Sequence, residues 1–207
     1  MPWARLRWMD SRISFMIRTT SGASPAGGTL WLMTGKFMLP ALETGRLTLR
    51  PFGLGDAGFV LGLLNEPSFL LHIGDKGVRS EDEARRYIAD GPLASYARSG
   101  YGLYVVELRE GRSPIGICGL LKRDWLEDVD LGFALLPPYW GHGYAFEAAA
   151  AVLAQGRGQF GLRRIVAITS LENEPSIRLL GKLGFRFERV ARFTQGGEEL
   201  RLFAVET

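Results

Sequence analysis

The pattern of apolar and polar residues becomes regular at Leu42. Residues 46–50 alternate between polar and apolar types until Pro51 ends the run, and this period of two predicts a strand. Further along come three strand candidates, of which the first is rich in aromatic and β-branched residues. The short connections between them predict an antiparallel meander. These runs cover residues 101–108, 115–121 and 129–136.

Helical spacing fills the interval between the first strand and the meander. Asp56 precedes an apolar run at helical spacing, and we expect it to cap a first helix. Ser80 and Glu83 have the spacing of a capping box, which predicts the start of a second helix. We expect that helix to stop before Gly91–Pro92, because proline cannot continue the hydrogen-bond ladder. A further helical piece is expected over residues 93–98.

The second half of the chain alternates between the two types of element. A glycine-rich turn leads into an alanine-rich helix over about 144–159, and the strongly apolar run 164–170 predicts a strand buried on both faces and parallel to its neighbour. A helix over 173–183 follows, and the chain closes with a hairpin of strands 185–193 and 200–205. The order β-α-α-β-β-β-α-β-α-β-β predicts a mixed α/β (α+β) domain.

The beginning of the chain differs in composition from the rest. Residues 1–42 hold five Lys or Arg residues and one Asp, about +4, whereas the remaining 20 basic and 21 acidic residues give about −1. We interpret residues 1–41 as an N-terminal extension, either disordered or upstream of a natural start at Met33 or Met38. A functional arm and an organelle-targeting segment are the alternatives. Residues 42–207 are predicted to form one domain.

Composition excludes several classes of protein. The domain lacks the clustered Lys and Arg of a nucleic-acid-binding face, and no apolar run reaches the ~18 residues that span a membrane. A single cysteine, Cys118, excludes an internal disulfide and a paired-cysteine metal site, and it suits a reducing, cytoplasmic location. His72 and His142 are too far apart to indicate a metal site. We expect no metal, no nucleic-acid partner and no membrane, and a monomer or homodimer.

The turn after the third meander strand is a candidate anion site. Gly141 and Gly143 flank His142, and the chain then runs directly into a helix. A helix N-terminus exposes unpaired N–H groups with partial positive charge, and glycines allow a phosphate to approach that backbone. A tight turn without a ligand is the alternative. A dinucleotide-binding turn fits poorly because its third glycine is replaced by Phe146, and the Lys of a P-loop is absent.

A second candidate lies at the start of the helix over 173–183. Asn173 and Ser176 stand on its first turn, directly after the buried parallel strand. Ligands of such sheets bind outside the carboxyl ends of the strands. The alternative is that Asn173 is only the helix N-cap and Ser176 an ordinary first-turn residue.

Taken together, these motifs resemble the GNAT acetyltransferase family, in particular its ribosomal-protein N-acetyltransferase (RimJ/RimL-like) branch. The segments that carry the resemblance are Leu42–Pro51, Gly132–Ala148 and Asn173–Phe185, in the order that the family shows. Trp140 stands where the family's Gly loop usually begins with Gln or Arg. The resemblance implies a mixed, mostly antiparallel sheet of about seven strands with two splayed parallel strands and about four helices.

The family's cofactor is acetyl-CoA, used as a co-substrate. By resemblance, the strand backbone at Phe133, Ala134 and Leu135 would pair with the pantetheine amides. Asn173 would hold the pantetheine side, and Ser176 would lie near the sulfur. The pyrophosphate would be bound by the loop residues Trp140, Gly141, His142, Gly143, Tyr144 and Ala145.

The resemblance also implies direct attack of an amine on the thioester. The N–H of Leu135 would stabilise the oxyanion, and Asp130 would serve as the base, with Glu107 as a weaker candidate. Asp130 could instead be a solvated residue at a strand start. Many relatives place a Tyr acid seven residues after the motif Asn. That position is Leu180 here, so Ser176 would contact the thiolate instead.

The acceptor is expected to be a primary amine, either on a small molecule or at a protein N-terminus. The sequence does not decide between them. The rival interpretation of the whole chain is a CoA-binding sensor protein without turnover.

Overall fold

The computed structural model describes residues 39–192 and 197–206, and within these ranges eight strands form one mixed sheet in the order β1-β2-β3-β4-β5-β6-β8-β7. One strand more than expected is present, because the short β1 pairs antiparallel with β2. The described residues begin at position 39, so residues 1–38 of the proposed extension lie outside them. In chain order the strands are β1 (Leu42–Glu43), β2 (Leu47–Pro51), β3 (Leu103–Leu108), β4 (Pro114–Leu121), β5 (Val129–Leu135), β6 (Arg164–Ser170), β7 (Arg186–Arg192) and β8 (Glu199–Glu206).

The helices follow the predicted order, with α2 as an additional short member of the first group. Ser80 and Glu83 form the predicted capping box: the Glu83 N–H donates to Ser80 Oγ (3.3 Å) and the Ser80 N–H to Glu83 Oε2 (3.1 Å). The helices are α1 (Ala57–Leu64), α2 (Pro67–His72), α3 (Glu81–Ile88), α4 (Ala94–Ser99), α5 (Tyr144–Gly158) and α6 (Glu174–Lys182).

The α-helix α3 ends at Ile88, before Gly91–Pro92 as predicted, but the chain does not leave the helical path there. The chain continues through a π-helical turn over Ala89–Leu93 and leads directly into α4, with Pro92 buried inside it. A π turn bonds residues five apart and widens the helix, so the ring of Pro92 avoids the clash that it would cause in a regular α-helix. Asp56 stands before α1 as expected, but its carboxylate bonds the Gly53 N–H and Arg50 rather than a helix N–H.

Both faces of the sheet are buried. On β3, Tyr104 and Val106 pack into the core that contains α5, whereas Leu103 and Val105 pack into the core that contains α1 and α3. Successive strand residues point to opposite faces, so an unbroken apolar run is what a doubly covered strand requires. The helices are therefore divided between the two faces, and the central strands lie between them.

The parallel strands β5 and β6 diverge soon after they meet. Their pairing is confined to Val129 with Ile165 and Asp130 with Val166. Beyond these positions each strand stays paired on its outer side, β5 with β4 as far as Leu135 and β6 with β8 as far as Ser170. The predicted splay is therefore present. A gap opens between 131–135 and 167–170, and the chain enters α5 and α6 from the open ends of these strands.

Candidate active site

The β5 side of the gap presents backbone groups at alternate residues. The Leu136 N–H donates to the Ile115 carbonyl of β4 (2.9 Å). Because backbone groups alternate between the two edges of a strand, those of Phe133 and Leu135 point into the gap and those of Ala134 point to β4, where Ala134 pairs with Ile117. The backbone groups of Phe133 and the N–H of Leu135 are therefore open to a ligand. The backbone pairing expected for Ala134 is wrong, because its polar groups belong to the β4–β5 ladder.

The glycine turn has the backbone geometry of an anion cradle. Gly141 and Gly143 have φ values of 78° and 82°, in the left-handed region that favours glycine, and Gly143 is the N-cap of α5. The first N–H bonded within the helix is that of Glu147, which donates to the Gly143 carbonyl (3.1 Å). Within the described part of the chain, the N–H groups of residues 144–146 have no acceptor. They are aligned at the positive end of the α5 dipole.

Aromatic side chains shape the rest of the loop. Trp140 is about half exposed, and its indole Nε1 donates to the Leu135 carbonyl (2.7 Å). His142 Nδ1 lies 2.8 Å from the Trp140 carbonyl, and its ring stacks on Tyr144 with the centroids 5.7 Å apart. The Trp140 contact joins the loop to the gap-facing edge of β5, so the two expected cofactor-binding segments form one unit.

The glycine loop is also held in place by side chains of the β1–β2 hairpin and of α5, whose role was not predicted from the sequence. Glu147, in the first turn of α5, accepts hydrogen bonds from the Thr44 hydroxyl (2.6 Å), the Arg46 N–H (2.8 Å) and the Arg46 Nε (2.8 Å). Arg46 Nη1 donates to the His142 carbonyl (3.0 Å). All three side chains belong to the segments that carry the family resemblance, and that resemblance was the available signal. Their contacts join residues 101 (Arg46 and Glu147) and 103 (Thr44 and Glu147) positions apart, which a local pattern does not show.

Asn173 caps α6 in the structure. Its Oδ1 accepts the Ser176 N–H (3.2 Å), so the interpretation of Asn173 as an N-cap is confirmed. The cap occupies the amide oxygen and leaves the two N–H donors of the same amide for a ligand. Ser176 is partly exposed on the first turn of α6, at the open end of β6. Capping and ligand binding are therefore compatible at this position.

Asp130 is buried at the last paired position before the gap. Only 1% of its surface is exposed, and its Oδ2 lies 2.6 Å from Arg123 Nε. No side chain among the described residues bonds the other oxygen, and the backbone of Ile168 on β6 also interacts with this carboxylate. Burial raises the pKa of this carboxyl, with Arg123 opposing the shift. The interpretation of Asp130 as a solvated strand-start residue is wrong. Because Val129 and Leu131 face α5, Asp130 points to the opposite face of the sheet.

The other residues that the sequence singled out lie in an ion pair away from the gap or in the packed core. Glu107, the weaker base candidate, lies on β3, two strands away from the gap, and its carboxylate accepts a hydrogen bond from Arg50 (2.8 Å). Cys118 is fully buried in the core, and burial raises the pKa of its thiol to about 12. Leu180 is fully buried as well.

In the described residues no cluster of His, Cys, Asp or Glu could hold a metal ion, and no helix is long and apolar enough to cross a membrane.

The chain belongs to the GNAT acetyltransferase family, since the acetyltransferase (GNAT) domain matches residues 46–186. Two relatives are the uncharacterized N-acetyltransferases YoaA of Bacillus subtilis and p20 of Bacillus licheniformis. YoaA is 29% identical over 75% of this chain and 88% of its own. The p20 protein is 30% identical over 74% of this chain and 86% of its own. The chain is therefore an acyltransferase of the N-acetyltransferase type.

Solved structures confirm the fold. An acetyltransferase from Agrobacterium tumefaciens superimposes with a TM-score of 0.72 at 23% identity, covering 84% of this chain and 98% of that one. RimL, a ribosomal L7/L12 alpha-N-protein acetyltransferase solved in complex with coenzyme A, superimposes with a TM-score of 0.69 at 16% identity. That match covers 81% of this chain and 98% of RimL. The mixed sheet with diverging parallel strands is thus the GNAT fold.

Proposed function

We propose that this enzyme binds acetyl-CoA in the gap between β5 and β6 and transfers the acetyl group to a primary amine by direct attack. The observation that carries the proposal is the position of the gap. It opens directly beside the N-terminus of α5, where two left-handed glycines expose backbone N–H groups. A flexible thioester arm joined to a pyrophosphate requires this combination of a slot and an anion cradle.

The cofactor roles follow from the backbone directions. Phe133 offers its N–H and C=O groups on the open edge of β5 to the pantetheine amides. The Leu135 N–H is left for the thioester oxygen, because Trp140 bonds the Leu135 carbonyl. The loop from Trp140 to Ala145 binds the pyrophosphate. The Asn173 amide donates to the pantetheine from the β6 side. The loop from Trp140 to Ala145 contains no Lys or Arg, so within the loop itself the positive potential comes from main-chain N–H groups and the helix dipole.

The reaction requires a base, an oxyanion donor and a group near the leaving sulfur. We assign the base to Asp130, whose raised pKa and position on the face opposite α5 suit an amine that approaches from that side. The amine nitrogen forms a bond to the thioester carbon, the C–S bond breaks, and the amine proton passes to Asp130. The Leu135 N–H stabilises the oxyanion, and the Ser176 hydroxyl donates to the departing thiolate.

The acceptor is a primary amine, at a protein N-terminus or on a small molecule. The likeness to RimL, whose name specifies a protein N-terminus, supports a protein acceptor. The names of the Bacillus relatives specify no acceptor, so small amines are tested as well. A reducing, cytoplasmic site of action suits the single, buried cysteine. The enzyme acts as a monomer or homodimer, which size-exclusion chromatography with light scattering would determine.

Thiol release tests the reaction. Purified enzyme is incubated with acetyl-CoA and a panel of amines that includes N-terminal peptides, polyamines and amino sugars, and free CoA is measured with a thiol reagent. We expect release that depends on at least one amine, together with calorimetric binding of CoA. Binding without release for any amine would instead favour the CoA-binding sensor without turnover, for which the buried Leu180 in place of a tyrosine is the supporting observation.

Asp130→Asn tests the base. Loss of general base catalysis costs about 10²- to 10⁴-fold in kcat, and we expect that loss with little change in the KM for acetyl-CoA. Asp128→Asn is the matched control, because Asp128 is two residues away and pairs with Arg164 at the surface (2.9 Å). Circular dichroism checks that Asp130→Asn is folded. A folded variant that keeps the kcat of the wild type would overturn the assignment.

A further inference from the structure

Arg46 and Glu147 form a charged clasp between the β1–β2 hairpin and the first turn of α5. Arg46 Nη2 lies 2.7 Å from Glu147 Oε2, in addition to the hydrogen bonds from the Arg46 N–H and Nε. Thr44 donates to the second oxygen of the same carboxylate. Four donors thus converge on one carboxylate that is 20% exposed. A contact of this kind fixes the orientation of a side chain.

The clasp lies against the anion cradle itself. Arg46 contacts three consecutive loop residues: it donates to the His142 carbonyl (3.0 Å), its Nη2 lies 3.4 Å from where a Gly143 side chain would begin, and its guanidinium stands 4.6 Å above the Tyr144 ring. Half of the Arg46 side chain remains exposed. The positive charge of the Arg46 guanidinium therefore lies beside the loop that forms the anion cradle.

Glu147 poses an electrostatic problem for that cradle. Burial would raise the pKa of this carboxyl, but the hydrogen bonds from Thr44 and Arg46 lower it overall, so Glu147 is ionised at neutral pH. A carboxylate in the first turn suits the helix dipole. The same carboxylate would repel a pyrophosphate at that end of the helix. A nearby cation offsets this repulsion, and Arg46 is bonded directly to Glu147.

We propose that Arg46 is a positioning residue for the phosphates of the cofactor. It neutralises Glu147 and holds the loop residues 142–144 in the conformation that receives the pyrophosphate. The inference rests on the proposed binding of acetyl-CoA in this cradle. It assigns to the β1–β2 hairpin the cation that the loop lacks, since Trp140 occupies the position where an Arg or Gln is usual.

Charge compensation predicts a particular coupling between two variants. Arg46→Gln leaves Glu147 charged beside the phosphates, and we expect the Kd for CoA to rise about tenfold or more. Glu147→Gln removes the repelling charge and should change Kd less. The double variant should bind CoA more tightly than Arg46→Gln alone. If the clasp were only structural, the double variant would bind no better than the weaker single variant.

Calorimetric titration of CoA measures these affinities without any turnover. Arg109→Gln is the matched control, because Arg109 bonds the same hairpin through the Thr44 carbonyl (2.9 Å) and Glu43 (3.4 Å). It should leave Kd unchanged. If the wild type fails to bind CoA, the proposed function fails. If the wild type binds and folded Arg46→Gln binds equally well, the inference about Arg46 fails while the proposed function stands.

A truncated substrate gives a second test. S-acetylpantetheine carries the thioester arm without the phosphates, so Arg46→Gln should lower kcat/KM for acetyl-CoA and leave kcat/KM for S-acetylpantetheine unchanged. A general loosening of the fold would reduce both values to the same extent. Equal losses on the two substrates would therefore overturn the role assigned to Arg46.

Discussion

The indole of Trp140 is bonded to the backbone carbonyl of Leu135 at 2.7 Å, which joins the start of the glycine loop to the end of β5. This contact spans the corner between the slot and the anion cradle, where the chain turns through Pro137–Tyr139. It gives a reason for the tryptophan at this loop position, because an indole N–H reaches the carbonyl at the end of the strand.

Trp140→Phe keeps the ring and removes the donor. The Leu135 carbonyl loses a hydrogen bond worth about 1 kcal/mol, and the loop loses its tie to β5. We expect the KM for acetyl-CoA to rise about fivefold, while kcat falls little. Initial-rate kinetics at varied acetyl-CoA measures both values. An unchanged KM would show that the loop is positioned without this bond.

Gly143→Ala tests the left-handed N-cap of α5. With φ at 82° a side chain is strained, at a cost of roughly 1–2 kcal/mol, and here it would also meet Arg46 Nη2 at 3.4 Å. We expect weaker CoA binding, by about tenfold, in calorimetric titration. Gly158→Ala at the other end of the helix is the control, since nothing lies within 4 Å of its added carbon. Equal affinities for the two variants would contradict the requirement at Gly143.

Leu180→Tyr introduces the side chain that many relatives have at this position. Leu180 is fully buried among core residues, so a larger polar side chain overpacks that core at a cost of about 1–3 kcal/mol. We expect a lower Tm and no gain in kcat. Leu180→Met conserves volume and should cost less than about 1.5 kcal/mol. An increase in kcat for Leu180→Tyr would show that the phenol reaches the sulfur.

Lys76 makes the free energy of unfolding depend on pH in the alkaline range. Burial and the nearby Arg123 lower the pKa of its amine from 10.5 to about 8. Between these values the unfolded chain binds a proton that the folded chain does not, so the contribution of Lys76 to stability increases as pH rises from 8 toward 10.5. Urea denaturation at pH 7.5, 8.5 and 9.5 measures it.

In Lys76→Met that contribution should disappear. Lys182→Met, at an exposed position in the last turn of α6, serves as the control. Parallel pH profiles for the wild type and Lys76→Met would contradict the lowered pKa.

Much of the fold could be predicted from local pattern. The Ser80–Glu83 capping box depends only on neighbouring residues, and the structure confirms it. The end of α3 before Gly91–Pro92 was predicted, but its continuation into α4 was not, because burial of the Pro92 ring in a π-helical turn outweighed the local rule against proline in a helix. The surroundings of Asp130 were also misjudged, since its partner Arg123 lies on the preceding connection and burial is not visible in a polar residue at a strand start.

The sequence by itself determined the order of the elements, the glycine turn before α5 and the Asn173 cap, because each depends on interactions within a few residues. The tertiary structure decided which of these features work together. It placed Phe133 and Leu135 on the open edge of β5 and turned Ala134 toward β4, since strand pairing sets the direction of backbone groups. It also brought Arg46 against Glu147, because only the packing of α5 beside the β1–β2 hairpin makes residues 101 positions apart neighbours.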